Sequence, residues 1–199
     1  NLTDTDRSRQ VLRIRLLAVG IVITCIGMVV TWPWITVTGA AVIGSTLTWY
    51  AFALGHQVRH ALPGRFDSTV WFYCAAACLL PLGATLGAIM AFSPTEPWRT
   101  RLLVAHQALN LLGFVALFLA GLYYHVFPAA ATGPLARIQA WLSVIGAVIF
   151  PIGIAAIRIG GPAYQPVVVV GSLIVFAGAI LFAFIVFRGG ARRDELESK

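Results

Sequence analysis

Hydrophobic and polar positions alternate on a long period along this chain. Six apolar stretches, at about 11–30, 35–56, 69–92, 102–127, 136–157 and 166–187, are divided by short connections rich in Pro and Gly. Each holds roughly the 20 residues that, at about 1.5 Å per residue, cross the hydrocarbon core of a bilayer. The pattern predicts an all-α polytopic membrane helix bundle of six transmembrane helices, with a short segment 1–10 before it and a charged tail 188–199 after it. The fourth stretch, LLVAHQALNLLGFVALFLAGLYYHVFP, carries polar residues that a plain lipid-facing helix avoids. At about 100° per residue, His106, Asn110, Gly113, Leu117 and Tyr124 fall on one line. A stripe with a histidine, an amide and a glycine faces protein, and the other helices are expected to wrap around it.

Glycines indicate where helices approach closely. Gly83 and Gly87 form a GxxxG pair in the third stretch, and Gly39, Gly44, Gly113, Gly121, Gly146, Gly171 and Gly178 offer close contacts elsewhere. Pro81 and Pro151 are expected to kink their helices. Gly44–His56 and Gly113–His125 share a spacing, and Leu80-Pro81-Leu82-Gly83 resembles Phe150-Pro151-Ile152-Gly153. These matches suggest a parallel internal repeat of helices two and three in helices four and five.

Composition supports the membrane reading, with 59% hydrophobic residues and a mean hydropathy of +0.88. The net charge of +7 is then a matter of sidedness, not of nucleic-acid binding. Eleven Lys and Arg residues fall on the flanks that include both termini, and three (Arg99, Arg101, Arg158) on the others. The positive-inside rule places both termini in the cytoplasm of a multi-pass protein of the cell membrane. All seven acids lie outside the apolar stretches, which argues against an intramembrane carboxylate relay. The chain begins at Asn1, and its polar first ten residues do not resemble a signal peptide.

Two groups of side chains suit metal chemistry. Near the outer end, His106 is a candidate ligand beside Cys25, Met28 or Met90, since imidazole and soft sulfur suit haem iron or Cu(I). The alternative is a core histidine satisfied by Asn110 or a carbonyl. Near the inner end, His56 and His60 form an i, i+4 pair, Cys74 and Cys78 form another, and His125 occupies the repeat-related position. Together they suit Cu(I), Zn(II) or haem; alternatively the histidines mark an interfacial helix end and the cysteines are small packing residues. His106 and His125 are 19 residues apart, roughly 28 Å along a helix, too far to share one centre. The chain has no P-loop, dinucleotide glycine motif, HExxH, CxxC or CxxCH.

The stretch AHQALNLLGFVALFLAGLYYHVFPAAATG resembles one helix and turn of haem–copper oxidase subunit I. It is more similar still to short, divergent relatives with an H-x-H-x-N-L-L-G pattern, including haem- and copper-containing membrane proteins of nitrogen-oxide metabolism and membrane modules of copper nitrite reductases and multicopper oxidases. The resemblance implies that His106 corresponds to a haem-iron ligand, with Asn110, Gly113 and Pro128 as its frame. Ala108 stands where the second histidine of the motif falls, and no adjacent His-His pair exists. What the resemblance implies is a protein that binds haem b or copper and supports electron transfer or metal handling for a nitrogen-oxide or copper enzyme, without being a complete oxidase. Its partners would be the lipid bilayer, a membrane or extracytoplasmic redox protein, and a second copy in a homo-oligomer. Rival readings are a metal-free structural or assembly subunit and a copper or small-solute transporter.

Overall fold

The computed structural model describes residues 4–60, 68–92 and 98–197; the side chains of 4–6, 51, 54–60, 92, 98, 99, 101 and 189–197 lie outside that description. All regular structure among them is helical. Helix α1 is Asp4–Val29, α2 Pro33–His60 and α3 Ser68–Phe92. A single long rod then comprises α4 (Trp98–Asn110), a π-helical segment (Leu111–Ala116) and α5 (Leu117–Val126). The short α6 (Pro128–Ala131) leads into α7 (Pro134–Gly160), and α8 (Gln165–Glu197) ends the described chain. Five of these helical stretches are long and apolar enough to cross a membrane: Arg7–Val29, Ser68–Ala91, Leu102–Val126, Pro134–Gly160 and Pro162–Arg188. This is the architecture of a polytopic helical membrane protein. The remaining predicted span, 35–56, lies within the unbroken α2, part of whose side chains are outside the described residues.

The helix ends follow local chemistry. Gly133 and Gly161 take φ of +115° and +91° on either side of α7, which suits residues without a Cβ. Pro134 then starts α7 at the first helical position, where a missing N–H costs nothing. After α1, the Trp32 N–H donates to the Gly27 carbonyl at 2.9 Å and the Thr31 N–H to the Met28 carbonyl at 3.3 Å. That is a Schellman closure, but its left-handed residue is Thr31, at φ +53°, a position where a β-branched side chain is strained.

Two helix ends differ from the hydropathy pattern. α1 starts before residue 11, and α8 continues past 187 to Glu197. Hydropathy marks where lipid begins, while helix formers such as Ala191, Arg192, Arg193, Glu195 and Leu196 sustain the backbone beyond it.

Successive helices pack side by side: α1 on α2, α2 on α3, α3 along the α4–α5 rod, the rod's α4 end on α7, and α7 on α8. The centre is therefore the pair formed by α3 and the rod, not the rod alone. Their shared core contains Phe72, Leu79, Leu109, Leu117 and Tyr124. Large apolar side chains cover the outer faces, with Val29 83% and Phe187 78% exposed. Such a surface is stable against lipid tails and not against water.

Close approach is concentrated in two hairpins. A Cβ on Gly27 would collide with the Thr36 backbone, and one on Gly39 with Thr24, so α1 and α2 touch backbone to backbone. In the second hairpin, α7 and α8 meet at Gly146 against Val175 and at Gly171 against Phe150. Gly44 departs from expectation: a Cβ there would meet nothing within 4 Å. Both Pro81 and Pro151 lie inside helices that continue through them.

Candidate functional site

The polar stripe on the rod meets the glycine pair of α3. His106 and Asn110 are partly buried, while Gly113, Leu117 and Tyr124 are buried. A Cβ on Gly83 would overlap the Asn110 amide, and a Cβ on Gly87 would lie 3.1 Å from Cε1 of His106. The GxxxG pair thus makes room for a histidine and an amide, not for another backbone.

His106 is held in one orientation. Its Nδ1 lies 2.8 Å from the Gly83 carbonyl oxygen. A carbonyl only accepts, so Nδ1 carries the proton and, in the neutral ring, Nε2 keeps a free lone pair. Asn110 donates through Nδ2 to the His106 carbonyl at 3.0 Å. The same Nδ2 is 3.3 Å from both ring nitrogens. The two nitrogens point in different directions, so a group equidistant from them lies over the ring face and does not consume the Nε2 lone pair. A histidine with one nitrogen on a carbonyl and the other free is the arrangement found at metal ligands.

The ring borders a cavity of about 450 Å³ between α1, α2, α3 and α4. Met28 and Met90 line it as well, together with the hydroxyl-bearing Thr24, Thr31 and Thr36. Two of the three sulfur residues considered beside His106 therefore share its cavity. Cys25 does not line it and is exposed. Gly113 is not part of the cavity either. A Cβ there would lie 3.1 Å from Leu79, so this glycine serves the packing of the rod on α3.

The inner set of candidates is less coherent. His56 and His60 belong to α2, but their side chains are outside the described residues. His125 is exposed at the far end of α5, Cys74 is partly buried and Cys78 exposed on α3. Among the described residues, no three His, Cys, Asp or Glu side chains are grouped to hold a metal ion.

A second polar group lies at the α5 end of the rod. The Tyr124 hydroxyl donates to Oε1 of Gln139 at 3.1 Å, and Nε2 of Gln139 donates to the Ser143 hydroxyl at 2.9 Å. Tyr124 is 0% and Gln139 2% exposed. Phe72 stacks on Tyr124 at 5.7 Å, and Phe182 meets it edge-on at 6.1 Å. Gln139 was not singled out from sequence; its one signal was an amide near the start of a mainly apolar span. The threonines lining the cavity were missed too, because isolated hydroxyls are ordinary in membrane helices.

No family model, curated protein or solved structure is detectably similar to this chain.

Proposed function

We propose that this polytopic membrane protein binds a haem b or a Cu(I) ion in the cavity beside His106 and supports electron transfer or metal handling. The observation that carries the reading is the His106 ring, anchored by Nδ1 on the Gly83 carbonyl with Nε2 free, in a cavity that Met28 and Met90 also line. One imidazole and two thioethers are a donor set that would suit Cu(I) or haem iron. The His106 imidazole would be the first ligand, one methionine the second, and Asn110 would steady the ring. When bound, either group supplies one-electron chemistry. The resemblance of 105–133 to haem–copper oxidase subunit I supports the same reading. With Ala108 in place of the second histidine, the reading is of a carrier or accessory protein to an extracytoplasmic or membrane redox enzyme.

The finer topology belongs to this proposal. Six spans follow from the apolar stretches, the parallel repeat from the shared Gly, His and Pro spacings, and both termini in the cytoplasm from the distribution of Arg and Lys, which would put the His106 cavity near the outer face of the cell membrane. Labelling of a cysteine introduced in the 190–199 tail tests the orientation: protection from an impermeant reagent outside intact cells is expected, and strong labelling rejects it.

The deciding experiment is an optical spectrum of the dithionite-reduced protein together with metal analysis after expression with haem and copper in supply. Bound haem or copper in the wild type, absent from folded His106→Ala, is the expected result. Neither group in the wild type rejects the reading. One alternative has its own support: the contacts among Gly83, His106 and Asn110 also join α3 to α4, as a metal-free structural or assembly subunit would need. That reading expects loss of stability in His106→Ala and no cofactor in either protein.

A further inference from the structure

We propose that a second cavity, at the opposite end of the α1–α2 hairpin and headed by Arg13, holds one anionic phospholipid of the surrounding bilayer. The phosphate would sit on the guanidinium and one acyl chain would fill the cavity. This proposal does not rest on the His106 reading.

Arg13 is a partly buried cation whose ring partner does not neutralise it. Its guanidinium carbon lies 4.5 Å from the centre of the Trp49 ring. Stacking of that kind holds the guanidinium plane and leaves its edge, where the N–H donors are, free. Nε is buried and has no hydrogen-bond partner among the described residues. A buried donor without an acceptor is costly, and a planar guanidinium matches the oxygens of a phosphate in pairs.

The space beside it has the complementary shape. A cavity of about 450 Å³ extends from Arg13 between α1, α2, α3 and the rod. Its far walls are apolar, formed by Leu17, Ile21, Ile43, Leu80, Phe114 and Phe118. The hydroxyl-bearing residues that line it are Thr46, Tyr50 and Tyr73. From Arg13 to Ile21 the helix rises eight residues, roughly 12 Å, close to the ~15 Å hydrocarbon depth of one leaflet. Arg7, Arg9 and Arg15 on the same helix place this end at the headgroup level. A soluble anion would gain nothing from the apolar walls, and a neutral quinone would leave the guanidinium charge unanswered. An anionic lipid satisfies both.

The test uses the full chain, purified, stripped of lipid and examined by native mass spectrometry with dioleoyl phosphatidylglycerol, dioleoyl phosphatidylcholine, oleate and a short-tailed ubiquinone. The wild type is expected to retain phosphatidylglycerol about tenfold more strongly than phosphatidylcholine: either phosphate can meet the guanidinium, but only phosphatidylcholine brings a choline cation beside Arg13 and leaves the site with an uncompensated positive charge. Arg13→Gln is expected to erase that preference, while Arg9→Gln keeps it. Ala77→Phe, which fills the cavity and leaves Arg13 in place, is expected to exclude the lipid, and it decides the matter if Arg13→Gln does not fold. Equal retention of the two lipids by the wild type, a preference that survives Arg13→Gln or Ala77→Phe, or stronger binding of oleate or the quinone would each overturn the proposal.

Discussion

The two polar groups along the rod have opposite designs. Tyr124 and Gln139 are buried inside the bundle and Ser143 partly so; Tyr124 stacks on Phe72 and meets Phe182 edge-on, and each bond of the short chain is closed by another side chain. His106 and Asn110 are only partly buried, border a cavity, and leave one imidazole nitrogen unspent. A buried polar group that is fully satisfied joins helices and has nothing left to offer a ligand. One that keeps a lone pair beside open space retains the means to bind. Within one continuous helix, the difference separates a structural clamp from a candidate site.

The largest effect is expected from Gly83, where the candidate site and its support coincide. Gly83→Leu would occupy the seat of the Asn110 amide and force α3 from α4. A loss of about 3 kcal/mol in unfolding free energy is expected, at the upper end of overpacking costs. Thermal unfolding in detergent measures it, with Gly44→Ala, which meets nothing, as the unchanged control. Next comes Tyr124→Phe, which strips the Gln139 carbonyl of its donor. About 1–2 kcal/mol should be lost, with no change in any haem or copper content. Adding Gln139→Leu should recover part of that loss, because the pair is then apolar on both sides.

His106→Ala should cost less stability, about 1 kcal/mol, and remove the bound group altogether. If Tyr124→Phe abolished binding while His106→Ala affected stability alone, the distinction between clamp and site would be reversed. The smallest expected effect is a gain. Thr31→Gly relieves a left-handed threonine beside the cavity and should stabilise the protein by about 1 kcal/mol. A loss instead would mean that the Thr31 side chain, whose hydroxyl lies 2.8 Å from the Val30 carbonyl, supports the turn more than its backbone strains it.

The stripe of His106, Asn110, Gly113, Leu117 and Tyr124 was legible because helical periodicity survives translation from sequence to space. Gly83 and Gly87 were legible as gaps, though not as gaps for polar side chains, since glycine spacing says nothing about what fills the space. The π-helical turn was not legible. Leu111–Ala116 is as apolar as its neighbours, and the extra residue per turn leaves no mark in an all-apolar run. The Gln139 network escaped for a related reason: a single amide in a span signals a buried partner but not which one. Arg13 was counted as a cytoplasmic charge, and only the stacked Trp49 and the adjoining cavity reveal a further role.

The tight hairpin of α1 and α2 has a consequence for how the chain is made. Its helices are joined by three residues, Val30 to Trp32, and touch through Gly20, Gly27 and Gly39. α1 is strongly apolar, with a mean hydropathy of 2.1 over its most apolar 18 residues. α2 carries Thr36, Thr38 and Ser45, whose hydroxyls already bond to carbonyls one turn back and so shed part of their cost in lipid. During synthesis the two helices are expected to enter the membrane together, as one antiparallel pair. Substitutions that part them, such as Gly27→Leu, should appear first as chains cleared by proteolysis soon after translation, before any effect on a mature protein could be measured.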